Sequence, residues 1–216
     1  MSRLVASSLL IIALGRVQPA GVPDRTTVLD NNAVAVTRLH FGPGAAETPH
    51  THPFPLVIVQ VTSGTISLTD GELTRVGSRP GEVWFIPADT RHAARNTASA
   101  AVEMLGIALK LDRPPAPEAP PTDAPPGIRR ATLVDNREVR IVRVRFDNGA
   151  REPLHTHPND LLTVQILPGR VEIVNGSNRS TEQREAGFVQ FVGRSVPHAY
   201  ASADEHPFEL LSIAIK

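Results

Sequence analysis

Short runs of alternating apolar and polar residues recur along this chain and predict β-strands. The clearest run alternates three apolar residues with two arginines: Val142, Arg143, Val144, Arg145 and Phe146. Because successive side chains on a strand point to opposite faces, one face should be buried and the other solvated. Clusters of Gly, Pro, Asn and Asp separate runs of about five to eight residues, and no segment after residue 20 has a helical period. The pattern predicts an all-β sandwich or barrel.

The chain also contains an internal repeat. The segment VLDNNAVAVTRLHFGPGA in the first half matches LVDNREVRIVRVRFDNGA in the second, and both copies continue through the tetrapeptide HTHP. Each copy then reaches a strand that ends at a glycine, Gly64 or Gly169, and a later glycine, Gly81 or Gly187, that precedes a further histidine. The repeat predicts two homologous domains that form a pseudo-dimer within one chain.

The segments outside the repeat suggest export and a spacer. Residues 1–20 contain one arginine before an apolar stretch that has the length of a signal-peptide core and is too short to cross a bilayer. We predict a signal peptide and a periplasmic or secreted protein; the alternative is a buried first element in a cytoplasmic protein. The proline-rich stretch 112–127 should be an extended linker between domains at 21–111 and 128–216.

Charge and cysteine content exclude several classes of function. The chain has 22 Lys and Arg against 22 Asp and Glu, so no basic excess points to nucleic acid or to an anionic membrane. It has no cysteine, which excludes disulfides and thiolate chemistry. Any metal must therefore be held by nitrogen or oxygen ligands.

Six of the eight histidines recur in register between the two copies. Residues i and i+2 of a strand project to the same side, so the two histidines of each HTHP should project together. A third histidine lies further along each copy, and three imidazoles would leave coordination positions open, as in catalytic metal sites. The alternative is that these histidines are polar filler bonded to the backbone. The predicted ligands are His50, His52 and His92, and His155, His157 and His198.

These motifs resemble the two signature motifs of the cupin superfamily. The first copy matches at Gly44, His50, His52, Gly64, Gly81, Pro87, His92 and Asn96. The second copy keeps the equivalent glycines and histidines, but Gly193 and Ser202 stand where the motif has proline and asparagine. The resemblance covers both copies and implies a bicupin, that is, two tandem jelly-roll β-barrels with a divalent metal near the centre of each.

The chain departs from the cupin pattern at the fourth ligand. Cupins usually add a glutamate seven residues before the strand-ending glycine, where this chain has Val57 and Leu162. A ligand set of three neutral imidazoles disfavours hard ions and favours copper or iron, with zinc, nickel or manganese as alternatives. Gln60 and Gln165, at matching places of the repeat, are alternative candidates for a fourth ligand, besides a role as hydrogen-bond partners or interface contacts. Trp84 and Tyr200 are candidates for the pocket wall.

The leading interpretation is an oxidoreductase that activates oxygen or peroxide at a three-histidine metal centre, acting on a small-molecule or carbohydrate substrate. A non-catalytic bicupin that binds a sugar or an organic acid is one alternative. A metal-dependent isomerase or lyase is another, and it would need a proton-transferring group such as Tyr200. Because the second motif is more intact in the first copy, we expect the first site to bind metal more tightly and to carry most of the activity.

Overall fold

The computed structural model describes residues 21–110, 116 and 124–216. The regular elements in these residues are all strands. The described part of the chain has no helix long and apolar enough to cross a membrane. The strands are β1 (Asp24–Asp30), β2 (Val34–Phe41), β3 (Leu56–Gln60), β4 (Ile66–Asp70), β5 (Leu73–Gly77), β6 (Val83–Ile86), β7 (His92–Asn96), β8 (Val102–Leu109), β9 (Ile128–Asp135), β10 (Val139–Phe146), β11 (Asp160–Leu167), β12 (Gly169–Asn175), β13 (Asn178–Arg184), β14 (Val189–Val192), β15 (His198–Ser202) and β16 (Phe208–Ile215). The predicted signal peptide and most of the predicted linker lie outside the described residues.

The two halves of the chain have the same antiparallel topology. In the first half, a five-stranded sheet of order β1-β2-β8-β3-β6 faces a three-stranded sheet of order β5-β4-β7. In the second half the equivalent strands give β9-β10-β16-β11-β14 and β13-β12-β15. The first barrel (β1–β8) and the second barrel (β9–β16) are therefore tandem jelly-roll domains, and the predicted all-β repeat is confirmed.

The five-stranded sheets pack back to back. Their outer faces share one buried apolar cluster, the inter-barrel core, which includes Val36, Val57, Ile107, Ile141, Leu162 and Ile213. Burying a side chain of this kind stabilises a fold by about 1.5–3 kcal/mol. The alternate face of each sheet points into its own barrel, so the central strands β3 and β11 are buried on both faces.

This packing corrects the prediction of a solvated face on β10. Arg143 lies on the same face as Ile141 in the inter-barrel core, and its Nη2 donates to the carbonyl of Gly81 at 2.5 Å. Arg38 makes the reciprocal contact, with Nη2 at 2.8 Å from the carbonyl of Gly187. The two glycines have φ of 79° and 78°, which favours a residue without a Cβ. Sequence alternation showed that two faces differ, but it did not show that a second domain covers one of them.

Candidate metal centres

Backbone pairing brings the three histidines of each copy together. His50 lies in the extended segment before β3, and its backbone exchanges two hydrogen bonds with His92 at the start of β7, at 3.0 and 2.9 Å. His155 and His198 exchange the same two bonds at 3.1 and 2.8 Å. We call His50, His52 and His92 the first triad and His155, His157 and His198 the second triad.

The rings of each triad turn their Nε2 atoms toward one another. Nε2 of His50 lies 3.0 Å from Nε2 of His52, and the equivalent distance from His155 to His157 is 3.1 Å. In each triad one potential ligand atom from every histidine lies within 4.8 Å of the others. This convergence was predicted from the sequence spacing, although the His-x-His segments lie outside the regular strands.

Hydrogen bonds on the opposite side of the ring fix the tautomers of two histidines in each triad. Nδ1 of His50 donates to the carbonyl of Thr48 at 2.8 Å, and Nδ1 of His92 donates to that of Thr90 at 3.0 Å. The second triad has equivalent bonds to Pro153 at 2.9 Å and Val196 at 3.0 Å. A neutral ring that donates through Nδ1 keeps a lone pair on Nε2, which is the form that ligates metals.

Burial and crowding keep several of these imidazoles neutral. Burial and the neighbouring His155 and His198 lower the pKa of His157 to about 4. Burial also lowers the pKa of His198, and burial together with His50 and His92 lowers that of His52. Mutually repelling, partly desolvated imidazoles are poor proton acceptors but suitable ligands for a cation. The chemistry of these donors therefore fits a divalent transition metal.

Neither triad gains a carboxylate ligand within the described residues. Val57 and Leu162, which stand at the expected glutamate positions, point into the inter-barrel core and away from the histidines. Leu56 and Ile58, their neighbours on β3, point into the first barrel, and Leu161 and Thr163 line the interior of the second. These inward positions of β3 and β11 therefore carry no acid, and the groups that could hold a metal consist of histidines alone.

The glutamines at matching places on β3 and β11 support turns. Nε2 of Gln60 donates to the carbonyls of Thr62 and Gly64, at 2.9 and 2.7 Å, and Nε2 of Gln165 donates to that of Leu167 at 2.7 Å. Both side chains are buried. Their side chains thus donate to backbone carbonyls at or just after the C-terminal ends of their own strands rather than to the triads.

The surroundings of the two triads differ. The second triad forms part of the wall of a cavity of about 520 Å³ inside the second barrel. This volume lies within the range of about 300–1,000 Å³ that small-molecule sites occupy. Besides the histidines, the polar part of the wall consists of Arg130, Thr132, Arg140, Glu152, Thr156, Thr163, Tyr200 and Ser212.

The first barrel has larger or more apolar side chains at some of the equivalent inward positions. Trp84, Ile58 and Met104 are buried in its core. The ring of Trp84 lies against Gly77 so closely that a Cβ there would be 2.3 Å from it. By strand register, Gln190 and Thr163 take the places of Trp84 and Ile58 in the second barrel. The candidate pocket residue Trp84 is therefore a core residue.

Tyr200, the other candidate pocket residue, lines the cavity and is held by a polar network. Its hydroxyl donates to Oε1 of Gln190 at 3.0 Å, and Nη2 of Arg184 donates to the same oxygen at 2.8 Å. The guanidinium of Arg184 also lies 4.5 Å from the ring centre of Phe188. Burial raises the pKa of Tyr200, so its hydroxyl remains protonated and can donate a hydrogen bond.

In both barrels a buried glutamate accepts a hydrogen bond from the backbone of the strand that carries the third histidine, β7 or β15. Oε1 of Glu152 accepts from the backbone N–H of Tyr200 at 2.9 Å, and its Oε2 lies 3.8 Å from Nη2 of Arg130. In the first barrel, Glu47 accepts from the N–H of Ala94 at 3.2 Å and from Arg25 at 2.7 Å. Burial raises the pKa of Glu152.

The sequence interpretation missed Glu152, Arg130 and Arg140. A signal existed for the glutamate, because a Glu lies three residues before His-x-His in both copies. None existed for the arginines, since arginine in an alternating strand is usually solvated. Only the fold shows that these two side chains reach a cavity.

Comparisons with known proteins agree with this architecture. The family described as "Cupin domain" matches residues 37–108. The β-alanine degradation protein BauB of Pseudomonas aeruginosa is 32% identical over 94 residues, which cover 43% of this chain and 97% of that protein. The match spans almost all of BauB but less than half of this chain, as expected if BauB corresponds in length to one repeat.

Solved structures match across both barrels. AerE from Microcystis aeruginosa superposes with a TM-score of 0.68 at 16% identity, covering 91% of this chain and 98% of that one. Salicylate 1,2-dioxygenase from Pseudaminobacter salicylatoxidans superposes with a TM-score of 0.71 at 11% identity, covering 88% and 76%. At these identities the similarity concerns the fold. With the family match, the repeated topology and a histidine triad in each half, the chain belongs to the cupin family and is a bicupin.

Proposed function

We propose that this bicupin is a metal-dependent oxidoreductase in which an organic substrate is oxidised by dioxygen or peroxide in the second barrel. The observation that carries the proposal is the position of the second triad in the wall of the cavity. Neutral imidazoles, a cavity of suitable size and polar side chains are thus combined in one place. Catalytic metal sites differ from structural ones in keeping such open space beside the ligands.

The contacts of each group in the second barrel indicate its role. His155, His157 and His198 would hold the metal through Nε2, since Nδ1 of His155 and of His198 is already bonded to backbone. Copper or iron bound there would supply electron transfer between the substrate and dioxygen or peroxide. The apolar part of the wall would exclude water from the substrate, and the Tyr200 hydroxyl would orient a polar group of it.

The first triad is assigned a different role, contrary to the expectation from the motifs. The replacement of Pro87 by Gly193 and of Asn96 by Ser202 suggested a looser second site. However, the two triads have the same backbone pairing, and their Nε2 separations are 3.0 and 3.1 Å. Because the first barrel has Trp84 where the second has Gln190, we assign the first triad a metal site that supports the fold and the second barrel the reaction.

Oxygen consumption by metal-loaded protein tests the proposal. Protein loaded separately with iron(II) and copper(II) would be assayed with a panel of small organic acids and sugars, and ¹⁸O₂ would show whether oxygen atoms enter the product. We expect turnover that is lost in His157→Ala and kept in His52→Ala. Turnover that is lost only in His52→Ala would contradict the assignment, and an inert protein with either metal would point to a binding function.

The fold is compatible with this chemistry, because the structural neighbour salicylate 1,2-dioxygenase is by name a dioxygenase. A metal-dependent lyase or isomerase is the second candidate. It is favoured by Glu152, a buried carboxyl in the cavity wall that could hold or release a proton. Turnover under nitrogen without an oxidant would support this second candidate over the first.

A further inference from the structure

We infer that Asp160 is a positioning residue, which fixes the turn before His198 and thereby aims the third ligand of the second triad. Asp160 is the first residue of β11, and it is buried. Its Oδ1 accepts a hydrogen bond from the backbone N–H of Arg194 at 2.8 Å, and its Oδ2 lies 3.8 Å from Nη2 of the same arginine. The inference rests on the proposed function only in taking the second triad to hold a metal.

The turn between β14 and β15, in which Arg194 lies, is bonded to two of the three ligands. The backbone N–H of Ser195 donates to the carbonyl of His157 at 2.8 Å. The carbonyl of Val196 accepts from Nδ1 of His198 at 3.0 Å. A displacement of this turn would therefore move the ring of His198 relative to that of His157.

The sequence of this turn provides little restraint of its own. Gly193 stands where the first barrel has Pro87, and glycine leaves the backbone free where proline fixes φ. Ser195 has a φ of 60°, in the left-handed region, and its counterpart Asp89 has a φ of 58°. Aspartate adopts this region more readily than serine does. The second turn thus lacks both of the local features that favour the conformation of the first.

Asp160 supplies the missing restraint from outside the turn. In the register of the repeat, the first barrel has Pro55 in place of Asp160 and Ala88 in place of Arg194, so its turn has no equivalent bond. The two turns are nevertheless closed alike, by backbone hydrogen bonds of 3.3 and 3.2 Å. A carboxylate is a strong acceptor for a backbone N–H. The first barrel therefore restrains this turn with a proline, and the second with a buried aspartate.

Asp160 acts without being a ligand or a part of the cavity wall. The group that could hold a metal in the second barrel consists of the three histidines. Leu161, the next residue of β11, lines the cavity, whereas Asp160 does not. Replacing Asp160 therefore changes the restraint on the turn and leaves both the donors and the cavity wall in place.

Copper(II) titration followed by electron paramagnetic resonance would test the inference without turnover. The full chain would carry His52→Ala, so that only the second triad keeps all three histidines. We expect Asp160→Ala to lower copper affinity by about ten-fold, the lower end of the effect of outer hydrogen bonds, and to broaden the copper signal. Asp160→Asn keeps an oxygen that can accept from Arg194 and should retain most of the affinity.

A second substitution should restore the site. Gly193→Pro, added to Asp160→Ala, inserts the residue of the first barrel and should recover most of the lost affinity. The position accepts proline, because Val192 before it ends β14 in an extended conformation. A Cβ at Gly193 would also meet no atom closer than 3.6 Å.

A matched control separates positioning from general stability. Oδ1 of Asn136, in the turn between β9 and β10, accepts from two backbone N–H groups at 2.9 and 2.8 Å. Asn136→Ala should therefore destabilise the same barrel but leave copper affinity unchanged. Copper affinity that falls equally in Asn136→Ala and Asp160→Ala would overturn the inference, as would affinity that is unchanged in Asp160→Ala.

Amide hydrogen exchange of the metal-free protein tests the turn directly. Asp160→Ala should raise the exchange rates of Ser195 and Val196, and Gly193→Pro should lower them again. Unchanged rates would overturn the inference whatever the metal content. A chain that binds no copper in any variant would refute the proposed function, and the exchange rates would still decide whether Asp160 fixes the turn. Copper affinity that depends on Asp160 without oxygen consumption would retain this inference and refute the oxidoreductase.

Discussion

The two barrels share one topology and one arrangement of three histidines, but their interiors differ. In the first barrel, Trp84, Ile58 and Met104 form an apolar core beneath the triad. In the second, Thr163 and Tyr200 line a cavity of about 520 Å³. Inward positions such as that of Ile58 in the first barrel and Thr163 in the second account for this contrast, whereas the ligand positions are unchanged. The lesson is that repeated ligands indicate a repeated arrangement of donors but not that the space beside them is repeated.

Replacing one histidine in each triad should give the largest difference in turnover between the barrels. His52→Ala and His157→Ala should each reduce metal affinity in their own barrel by more than about 100-fold, since even the outer hydrogen bonds of a metal site contribute 10–100-fold. Metal content per chain, measured by mass spectrometry, should fall by about half in both. Turnover should be lost only with His157→Ala, and equal losses of turnover would mean that the barrels are equivalent.

Removing the first barrel's tryptophan should have the next largest effect. Trp84→Ala would open a cavity in a filled core and should lower the free energy of unfolding by about 3–5 kcal/mol. Urea denaturation followed by circular dichroism measures this, because the chain's single tryptophan is lost in the variant. Trp84→Phe keeps most of the volume and should have a smaller effect. A loss below about 1 kcal/mol would show that the first barrel is not filled in solution.

Replacing either of the two arginines that bond across the interface between the barrels should destabilise the protein to a similar extent. Arg38→Met and Arg143→Met each remove a charged hydrogen bond to a glycine carbonyl of the other barrel, at 2.8 and 2.5 Å. Each should lower the free energy of unfolding by about 1.5 kcal/mol or more. A large loss for one variant with none for the other would show that the interface is not symmetric.

Tyr200→Phe should give the smallest change in stability. It removes one hydrogen bond to Gln190, which keeps its bond to Arg184, so we expect a loss of about 0.5–1.5 kcal/mol. If the hydroxyl orients the substrate, kcat/KM should fall while metal content remains that of the wild type. The first barrel has Ala94 at this place, so Ala94→Ser serves as the control and should not alter turnover.

The sequence was sufficient for the fold and for both triads, because each depends on local pattern and on repetition. Period-two alternation predicted the strands, and the register of the repeat predicted which histidines converge. What it could not predict depends on contacts between distant segments. Arg143 belongs to an alternating strand, yet it bonds to the other barrel. The signal peptide at residues 1–20 remains a prediction.

The proposal that the second barrel carries the reaction also does not follow from the motifs. Pro87 and Asn96 favoured the first copy, because they belong to the recognisable pattern. The proposal depends on Trp84 and its counterpart Gln190, and either residue type is compatible with a strand pattern. Packing density is a property of many side chains together, and no single position encodes it.

The inter-barrel core has a consequence for attempts to dissect the protein. A fragment that ends before residue 128 would expose the apolar outer face of its five-stranded sheet, including Val36, Val57 and Ile107. Contiguous exposed patches of this kind promote self-association. An isolated repeat would therefore pair with a second copy of itself or precipitate, and the covalent tandem spares the protein any dependence on its own concentration.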